Sequence, residues 1–333
     1  MGTGQRAVLM HAIVLGSAAL GLGAYAESST AQGTSTPKYP SRPIRLIVPF
    51  PPGGSNDILG RAMAQRLTPR LGQQIVVDNR AGGGAVIGTE MVANAAPNGH
   101  TLLITSTAFT TSAAIQKLPY DPVKSFTPIS LLGSGPAVVA VTPSQPMRSI
   151  KDLIDLAKAK PGQLRFASSG VGGINHFAGE LFKNMAGVDL VHVPYKGGGP
   201  AMIDVMAGHV EMLFGTLTQT SPHMRSGKLR AIGITSRERW PSVPDLLTIA
   251  ETLPGYESMA WWGIFGPAGL PESIVTMLNG EIRAILAEAE IAKWFFSQGA
   301  APRLDTPAAF GKHIQDELTK WSRVAKANGI RLD

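Results

Sequence analysis

The 333-residue chain contains no cysteine. It therefore cannot form a disulfide, bind a metal through thiolates or use a thiol as a nucleophile. Charged residues are also few, at 16%, whereas hydrophobic residues make up 44%. This balance is typical of a globular protein that buries a substantial core, and the length is sufficient for two domains. Without disulfides, such a chain depends on its core for stability.

Long hydrophobic runs are lacking after the N-terminal region, where one short run occupies residues 7–23. It follows Arg6 and precedes Ala24-Tyr25-Ala26, the arrangement of a secretory signal peptide cleaved after about Ala26. The run is shorter than the roughly 20 residues of a membrane-spanning helix. We therefore predict a signal peptide at 1–26 and a flexible tail at 27–38. Because export without disulfides suits a bacterial periplasm, we expect the mature protein there.

Clusters of basic residues are lacking too, although the formal net charge is +7. Lysine and arginine are scattered and are not interleaved with aromatic residues, which argues against a nucleic-acid partner. The charge fits either a basic solvated surface or mild steering of anionic ligands. Composition alone leaves both interpretations open.

Short apolar runs alternate with helical patterns along the mature chain, which predicts βαβ units and mainly parallel sheets flanked by helices. The pattern restarts once, after the apolar segment Ile129–Val141. Two predicted helices at the end, Pro271–Ala287 and Pro307–Ala327, have no sheet of their own. The simplest arrangement packs them onto the first half and gives two α/β lobes around a cleft. The expected lobes are 39–137 with 236–333 (lobe 1) and 138–235 (lobe 2).

Glycine-rich corners follow predicted strands at four places. A corner that leads into a helix presents unpaired backbone N–H groups to an anion, and glycine lets a ligand approach the backbone closely. One such corner is an ordinary tight turn, but two in each half favour an anion-binding cleft. The corners are Pro51–Ser55, Asn79–Gly84, Ser168–Gly173 and Tyr195–Gly199.

Motifs for catalysis or metal binding, such as H-E-x-x-H, G-x-S-x-G and the Walker loop, are absent from the sequence. We therefore predict no catalytic residue, no metal and no cofactor. Asp57 lies in a predicted first helical turn, where a carboxylate commonly caps the helix. His176 fits either a structural hydrogen bond or a ligand contact, and Lys196 fits either a ligand charge partner or a solvated loop residue. Trp261 and Trp262 fit the core or the lining of a cleft.

Longer motifs extend over nearly the whole mature chain. They include YPSRPIRLIVPFPPGGSNDILGR, VVDNRAGGGAVIGTEMVANAAPNGHTLL, VHVPYKGGGPAMIDVMAGHVEMLF and GIFGPAGLP. Through these motifs the chain resembles the substrate-binding proteins of tripartite tricarboxylate transporters, the periplasmic receptors of the Bordetella uptake gene type. The resemblance implies a two-lobed periplasmic-binding-protein fold (Venus flytrap, type II) without catalytic activity. It also implies a small organic acid as ligand, membrane permease subunits as partners, and a monomer.

In this family, backbone N–H groups, hydroxyls and ordered water typically hold a ligand carboxylate. Carried over position by position, the resemblance implies ligand contacts in both lobes. In lobe 1 these are Phe50, Gly53, Gly54, Ser55, Asp57, Ser106 and Thr107; in lobe 2 they are Ser168, Ser169, Gly170, His176, Tyr195, Lys196, Gly215 and Thr216.

Two departures from the family pattern affect this expectation. Phe214-Gly215-Thr216 stands where Phe-Asp-Asn is usual, and Gly173 stands where a serine is common. The missing carboxylate is expected to disfavour a ligand with a cationic amino group. Two other functions stay open: a binding protein that signals to a membrane histidine kinase, and an enzyme acting on anionic metabolites.

Overall fold

The computed structural model describes residues 39–327 and 329–331. The predicted signal peptide at 1–26, its cleavage site and the tail at 27–38 lie outside the described residues. Among the helices that the structure describes, none combines the length and the hydrophobicity needed to cross a membrane.

Strands and helices alternate through most of the described chain. The strands are β1 (Ile44–Val48), β2 (Ile75–Asn79), β3 (Thr101–Ser106), β4 (Phe126–Val141), β5 (Arg165–Ser168), β6 (Val191–Pro194), β7 (Met212–Thr216), β8 (Arg230–Ile234), β9 (Met259–Pro267) and β10 (Ala301–Pro302). The helices are α1 (Ser55–Leu71), α2 (Val86–Ala93), α3 (Ala108–Ile115), α4 (Ile150–Ala159), α5 (Ile174–Ala186), α6 (Gly198–Met206), α7 (Leu217–Arg225), α8 (Glu272–Ala287), α9 (Ala289–Ser297) and α10 (Pro307–Ala327). Two short 3-10 turns lie at Gly83–Ala85 and Ile249–Glu251.

Local sequence determines where these elements begin and end. The hydroxyl of Ser149 accepts a hydrogen bond from the N–H of Asp152 at 3.1 Å and so caps α4. Leu153 and Ala157 lie one turn apart on the buried face of that helix. At the C-terminal end of α1, the helix stops before Gly72. This glycine has a left-handed φ of 67°, which glycine adopts without strain.

A single long strand, β4, joins two halves of the sheet. The strand order is β2-β1-β3-β9-β4-β7-β5-β6, and β8 and β10 also pair with β4. We call the part with β1, β2, β3, β9 and β10 the first half, and the part with β5 to β8 the second half. Strands β1, β2 and β3 are parallel in the first half, and β5, β6 and β7 are parallel in the second. Strand β9 is antiparallel to β3, and β4 is antiparallel to its neighbours β7, β8, β9 and β10.

The register of β4 brings the carboxyl ends of both halves together. Ser106, at the end of β3, pairs with Trp262 of β9, and Trp262 pairs with Gly133 of β4. Thr216, at the end of β7, pairs with Ala137 of the same strand. Because the parallel strands of each half end at one edge, the loops that follow them in both halves face one region beside residues 133–137.

Hydrophobic residues cover both faces of each half. In β1, Leu46 and Val48 pack into one core cluster of the first half, and the intervening Ile47 packs into another on the opposite face. The second half is likewise covered by two clusters. The segment that follows β8 packs with the second half, since Ile249 and Tyr256 lie in one of its clusters.

Helix α5 contacts the cores of both halves. Its residues Ala178 and Phe182 belong to a cluster of the second half, whereas Ile174 and Phe177 pack into the first-half core. The ring of Phe177 lies 5.3 Å from that of Trp321 on α10, in an edge-on arrangement. The start of α5 is therefore held between the halves.

The structure corrects the predicted elements in three places. Helix α3, helix α9 and the short strand β10 were not predicted, so three helices rather than two follow β9. The apolar segment Ile129–Val141, after which the pattern restarts, is the greater part of β4. Helices α8, α9 and α10 contribute to the core of the first half, and β9 lies between β3 and β4.

Candidate ligand-binding site

Two adjoining cavities lie where the loops of the two halves meet. The outer cavity has a volume of about 330 Å³ and the inner cavity one of about 30 Å³. Phe50, which follows β1, and Ser169, which follows β5, line both cavities. The two residues therefore lie at the boundary between the two cavities.

The starts of five helices line the inner cavity. Within the described chain, none of these helix starts carries a side-chain cap. The first N–H groups of these helices therefore have no side-chain cap, and each helix start contributes about half a positive charge. The lining residues at these positions are Gly54, Ser55 and Asn56 of α1, Ala108 of α3, Ile174 and Asn175 of α5, Gly198 of α6, and Thr216 directly before α7.

Neutral side chains complete the inner cavity, and among the described residues no charged side chain lines it. The amide of Asn56 donates to the hydroxyl of Ser106 at 3.2 Å. The amides of Asn175 and Gln219 donate to the backbone carbonyls of Phe214 and Gly198. These bonds fix the amide side chains, so the cavity wall is preorganised rather than flexible.

Two buried polar atoms in the inner cavity lack a hydrogen-bond partner within the described chain: Oδ1 of Asn56 and Oγ1 of Thr216. Burying a polar atom without a partner is costly, and such atoms are rare in folded proteins. Here both border a cavity. A guest with complementary donors and acceptors would satisfy them.

The outer cavity is mainly apolar and contains one charged side chain among the described residues, Lys196. This lysine forms no ion pair with any described residue. The hydroxyl of Tyr195 donates to Asp204 at 2.6 Å, so it is engaged outside the cavity. Burial, together with that bond, raises the pKa of Tyr195 to about 12. Lys196 and the amide of Gln116 are left to face a ligand.

The two halves touch on both sides of the cavities. On one side, a Cβ atom placed on Gly197 would lie 2.6 Å from Cδ of Pro51, and one on Gly199 would lie 2.8 Å from the carbonyl oxygen of Pro52. On the other side, the hydroxyl of Thr111 donates to the carbonyl of Gly172. The cleft is therefore closed over the inner cavity in this structure.

All four glycine corners contribute residues to these walls, including Gly54, Gly82, Ser169 and Gly198. Nine of the fifteen residues expected to contact a ligand line a cavity. They are Phe50, Gly54, Ser55, Ser106, Ser169, Gly170, Tyr195, Lys196 and Thr216. The other six line neither cavity: Gly53, Asp57, Thr107, Ser168, His176 and Gly215.

Asp57 holds the first corner from behind. Its carboxylate accepts hydrogen bonds from the N–H of Gly53 and from Asn79, both at 3.0 Å, and pairs with Arg61 at 2.9 Å. Burial by itself raises the pKa of Asp57, but the bonds from Arg61, Gly53 and Asn79 outweigh it and hold that pKa below its ordinary value. The charge is thus used to shape the turn.

Three other expected contacts have structural partners. The hydroxyl of Thr107 accepts a bond from the N–H of Trp261 at 2.9 Å. Ser168 lies within 2.6 Å of a ring nitrogen of His192. Nδ1 of His176 accepts a bond from the N–H of Gly172 at 3.4 Å. Each therefore supports a loop of the site.

Sequence reasoning missed several lining residues. Asn56, Asn175 and Gln219 are polar residues in first helical turns after strands, and that position was a usable signal. For Trp262 the sequence allowed either a core position or a position in the cleft lining. The side chain is fully buried and also lines the inner cavity, and its indole N–H donates to Ser55 at 3.0 Å.

Two α/β halves that close over an amide-lined cavity define a solute-binding protein of the periplasmic type, and solved structures of that type share the fold. The chain belongs to the family described as tripartite tricarboxylate transporter family receptor, whose sequence profile matches residues 59–330. This confirms the expected family and fold class. Members of that family are receptors for solutes.

Individual relatives match over nearly their full length. Protein BugT of Bordetella pertussis (strain Tohama I) is 36% identical over 311 residues, which cover 92% of this chain and 95% of BugT. The solved structure of R. palustris Rpa4515 with adipate has a TM-score of 0.86 at 35% identity and covers 88% of this chain and 99% of that one. MatC from Rhodopseudomonas palustris with bound malate has a TM-score of 0.82 at 31% identity, covering 86% and 99%.

Proposed function

We propose that this protein captures a small carboxylate-bearing metabolite in its closed cleft and delivers it to a membrane permease of the tripartite tricarboxylate type. The observation that carries the proposal is the group of five uncapped helix starts around an inner cavity without charged side chains. Such a wall stabilises a carboxylate through backbone N–H groups and helix dipoles. The adipate and malate bound by two relatives support the same ligand class.

The ligand is oriented because the inner cavity is lined by helix starts and neutral polar side chains, whereas the outer cavity is larger and mainly apolar. One carboxylate faces the inner cavity, where Ser55, Thr216 and the unpaired N–H groups meet it. The body of the molecule passes Phe50 and Ser169 into the larger, mainly apolar outer cavity. A second carboxylate there pairs with Lys196. Asp57, Ser168 and His176 act on the ligand only through the loops that they hold.

The absence of aspartate and glutamate from both cavity linings, as far as the described residues go, supports discrimination against amino acids. A ligand ammonium group would lose its water without gaining a carboxylate partner, which is costly. Gly215, where the family usually has an acidic residue, lies behind the wall, and a Cβ on it would approach Thr220 and Leu213. Plain dicarboxylates are therefore the favoured class.

The remaining assignments follow from the family role. We take the protein to be exported, with cleavage after about Ala26, to act as a monomer, and to bind its ligand without turnover. Lobe 1 comprises 39–137 and 258–333, and lobe 2 comprises 138–257. The second boundary is set near Ser258, later than Ser236, because Ile249 and Tyr256 pack with the second half.

Calorimetry with the exported protein tests this function. Adipate and malate are titrated against aspartate and glutamate, and at least one plain dicarboxylate should bind more tightly than both amino acids. Preferential binding of the amino acids would contradict the proposal. Recovery of the bound acid unchanged, checked by NMR after prolonged incubation, distinguishes a receptor from an enzyme.

A pair of matched variants tests the cavity itself. Thr216 and Thr218 both bury a hydroxyl without a partner in the described chain, but only Thr216 lines the inner cavity. Thr216→Val should weaken binding about tenfold, the loss expected for about 1.4 kcal/mol of hydrogen bonding. Thr218→Val should leave the affinity unchanged. Equal effects of the two substitutions would place the ligand elsewhere.

A further inference from the structure

Two histidines stack behind the loop Ser168–Gly173, in the second half of the protein. The rings of His176 on α5 and His192 on β6 are nearly parallel, at 14°, with their centres 4.0 Å apart. Phe166 of β5 continues the stack on the other side of His192, at 4.9 Å. Neither histidine lines a cavity.

Both histidines are bonded to the backbone loop that forms part of the cavity walls. Nδ1 of His176 accepts the N–H of Gly172 at 3.4 Å. His192 Nε2 lies 2.6 Å from the hydroxyl of Ser168, and this hydroxyl accepts the N–H of Gly170 at 3.1 Å. The loop is thus tied at its beginning and near its end.

The residues between these ties form the site. Ser169 lines both cavities, and Gly170 and Val171 line the outer one. Gly170 and Gly172 have φ values of 128° and 81°, which other residues rarely adopt, so the loop has an unusual shape that its neighbours must maintain. Thr111 from the first half bonds the carbonyl of Gly172 when the halves are closed.

We propose that the stacked His176–His192 pair is a positioning device that holds the Ser168–Gly173 loop in its ligand-binding shape, and that it does so only while His176 is neutral. A protonated Nδ1 cannot accept the N–H of Gly172, so two donors would face each other. A second positive charge could not be accommodated 4.0 Å away on the stacked ring. The contribution of the histidine pair to ligand capture rests on the proposed function. Its effect on the shape of the Ser168–Gly173 loop does not.

Several groups set the charge of the pair. Helix α5 brings Glu180, 3.9 Å from Nε2 of His176, and Lys183, which pairs with Glu180 at 3.0 Å. Strand β5 brings the uncharged Phe166 and Ser168, and α3 brings the hydroxyl of Thr111. Burial, aided by Lys183, lowers the pKa of His176 to about 4. Burial, then His176 and Lys183, lowers the pKa of His192 to about 3.

The direction of the pH effect follows from linkage. When the loop opens, His176 regains a pKa near its ordinary value of 6.5, so the open form binds protons more readily between pH 6.5 and about 4. The closed shape of the loop is therefore fully favoured above pH 6.5 and weakens as the pH falls toward 4.

Hydrogen exchange in the ligand-free protein tests this directly. Protection factors of the amides of residues 170–173, corrected for intrinsic rates, should fall about tenfold or more between pH 7 and pH 5. His176→Asn keeps an acceptor at the δ position that cannot titrate, so it should retain protection and lose the part of the pH dependence that His176 contributes, which leaves a shallower profile than wild type. His176→Phe should lose protection at both pH values. A flat profile in the wild-type protein, or full protection in His176→Phe, overturns the proposal.

His223→Asn is the matched control, because the His223 side chain makes no hydrogen bond with a described residue and its pKa is also lowered, mainly by burial. It should keep the wild-type profile. If His176→Phe does not fold, the wild-type and His176→Asn profiles decide the outcome by themselves. Adipate titrations at pH 7 and pH 5 form a separate arm. If protection of the loop depends on pH but the protein does not bind adipate or another acid, the role of His176 stands. The proposed carboxylate function is then refuted.

Discussion

The indole N–H of Trp262, on β9, donates to the hydroxyl of Ser55, at the start of α1, over 3.0 Å. Both residues are buried and line the inner cavity. Because the Ser55 oxygen accepts the indole proton, its own proton is free to be donated into the cavity. The bond therefore orients the hydroxyl of a proposed ligand contact, Ser55, and joins two elements that are far apart in the sequence.

Ser55→Ala should lower the free energy of unfolding by about 1–3 kcal/mol, because the indole N–H loses its acceptor inside the protein. Trp262→Phe removes both the donor and part of the packing. We expect a double-mutant cycle measured by urea unfolding to show coupling between the two changes. Ser55→Ala should lower the free energy of unfolding much less in the Trp262→Phe background than in the wild-type protein. Strict additivity of the two changes would show that the bond contributes nothing.

Gly199→Ala should hinder closure of the cleft. The new Cβ would lie 2.8 Å from the carbonyl oxygen of Pro52 in the opposite half, while alanine itself is favourable in helix α6. We expect ligand affinity to fall at least tenfold without loss of stability, and small-angle scattering to show a larger radius of gyration. Gly280→Ala is the control: its Cβ meets no described atom within 4 Å on α8, so it should add about 0.5–1 kcal/mol of stability and leave binding intact.

Lys196→Met should reduce the affinity for adipate about tenfold, a loss of about 1.4 kcal/mol, because the distal carboxylate loses its cation. A monocarboxylate of similar length, hexanoate, should be affected little. Lys160→Met, on an exposed lysine at the end of α4, controls for the change in net charge. Equal losses for adipate and hexanoate in calorimetry would exclude the proposed pairing.

Asp57→Asn should destabilise the protein at pH 7 by about 1–3 kcal/mol, because an amide presents a donor where Gly53, Asn79 and Arg61 already donate. The pKa of Asp57 in the folded protein lies below its ordinary value of 3.8. Its contribution is therefore fully present above pH 3.8 and is lost as the pH falls through the lower folded value.

Urea unfolding at pH 7 and near pH 3 should accordingly show a smaller difference between Asp57→Asn and wild type in acid. Asp155→Asn, which removes an exposed ion pair with Lys151, serves as comparison and should change stability by less than about 1 kcal/mol at pH 7. A difference for Asp57→Asn that is constant with pH would mean that the charge does not hold the corner.

The strand and helix alternation could be predicted because most of the strands are short apolar runs that lie next to glycine or proline. Helix α3 could not, because Ala108–Ser112 is buried throughout and so has no polar face to mark its period. Strand β10 has two residues, Ala301 and Pro302, which is too short for any alternation. Its pairing with β4 is a product of tertiary packing.

The backbone of the site was more predictable than its side chains. Glycine corners mark themselves in the sequence, as Gly54 and Gly198 do. The direction of an amide side chain depends on distant acceptors, such as the carbonyl of Phe214 for Asn175, and no local pattern records it. His192 escaped notice for the same reason, since its stacking partner His176 comes from another element.

Strand β4 imposes a mechanical condition on ligand exchange. It pairs with β9 between Phe126 and Pro136, with register shifts near Ile129 and Leu132, and then directly with β7 along Ala137–Val141. To separate the halves, the protein has to twist this ribbon about its own axis, and the ladder on either side resists the torsion. We therefore expect the hinge to resist opening elastically rather than to move freely. The stiffness of β4 then helps to set the residence time of the ligand.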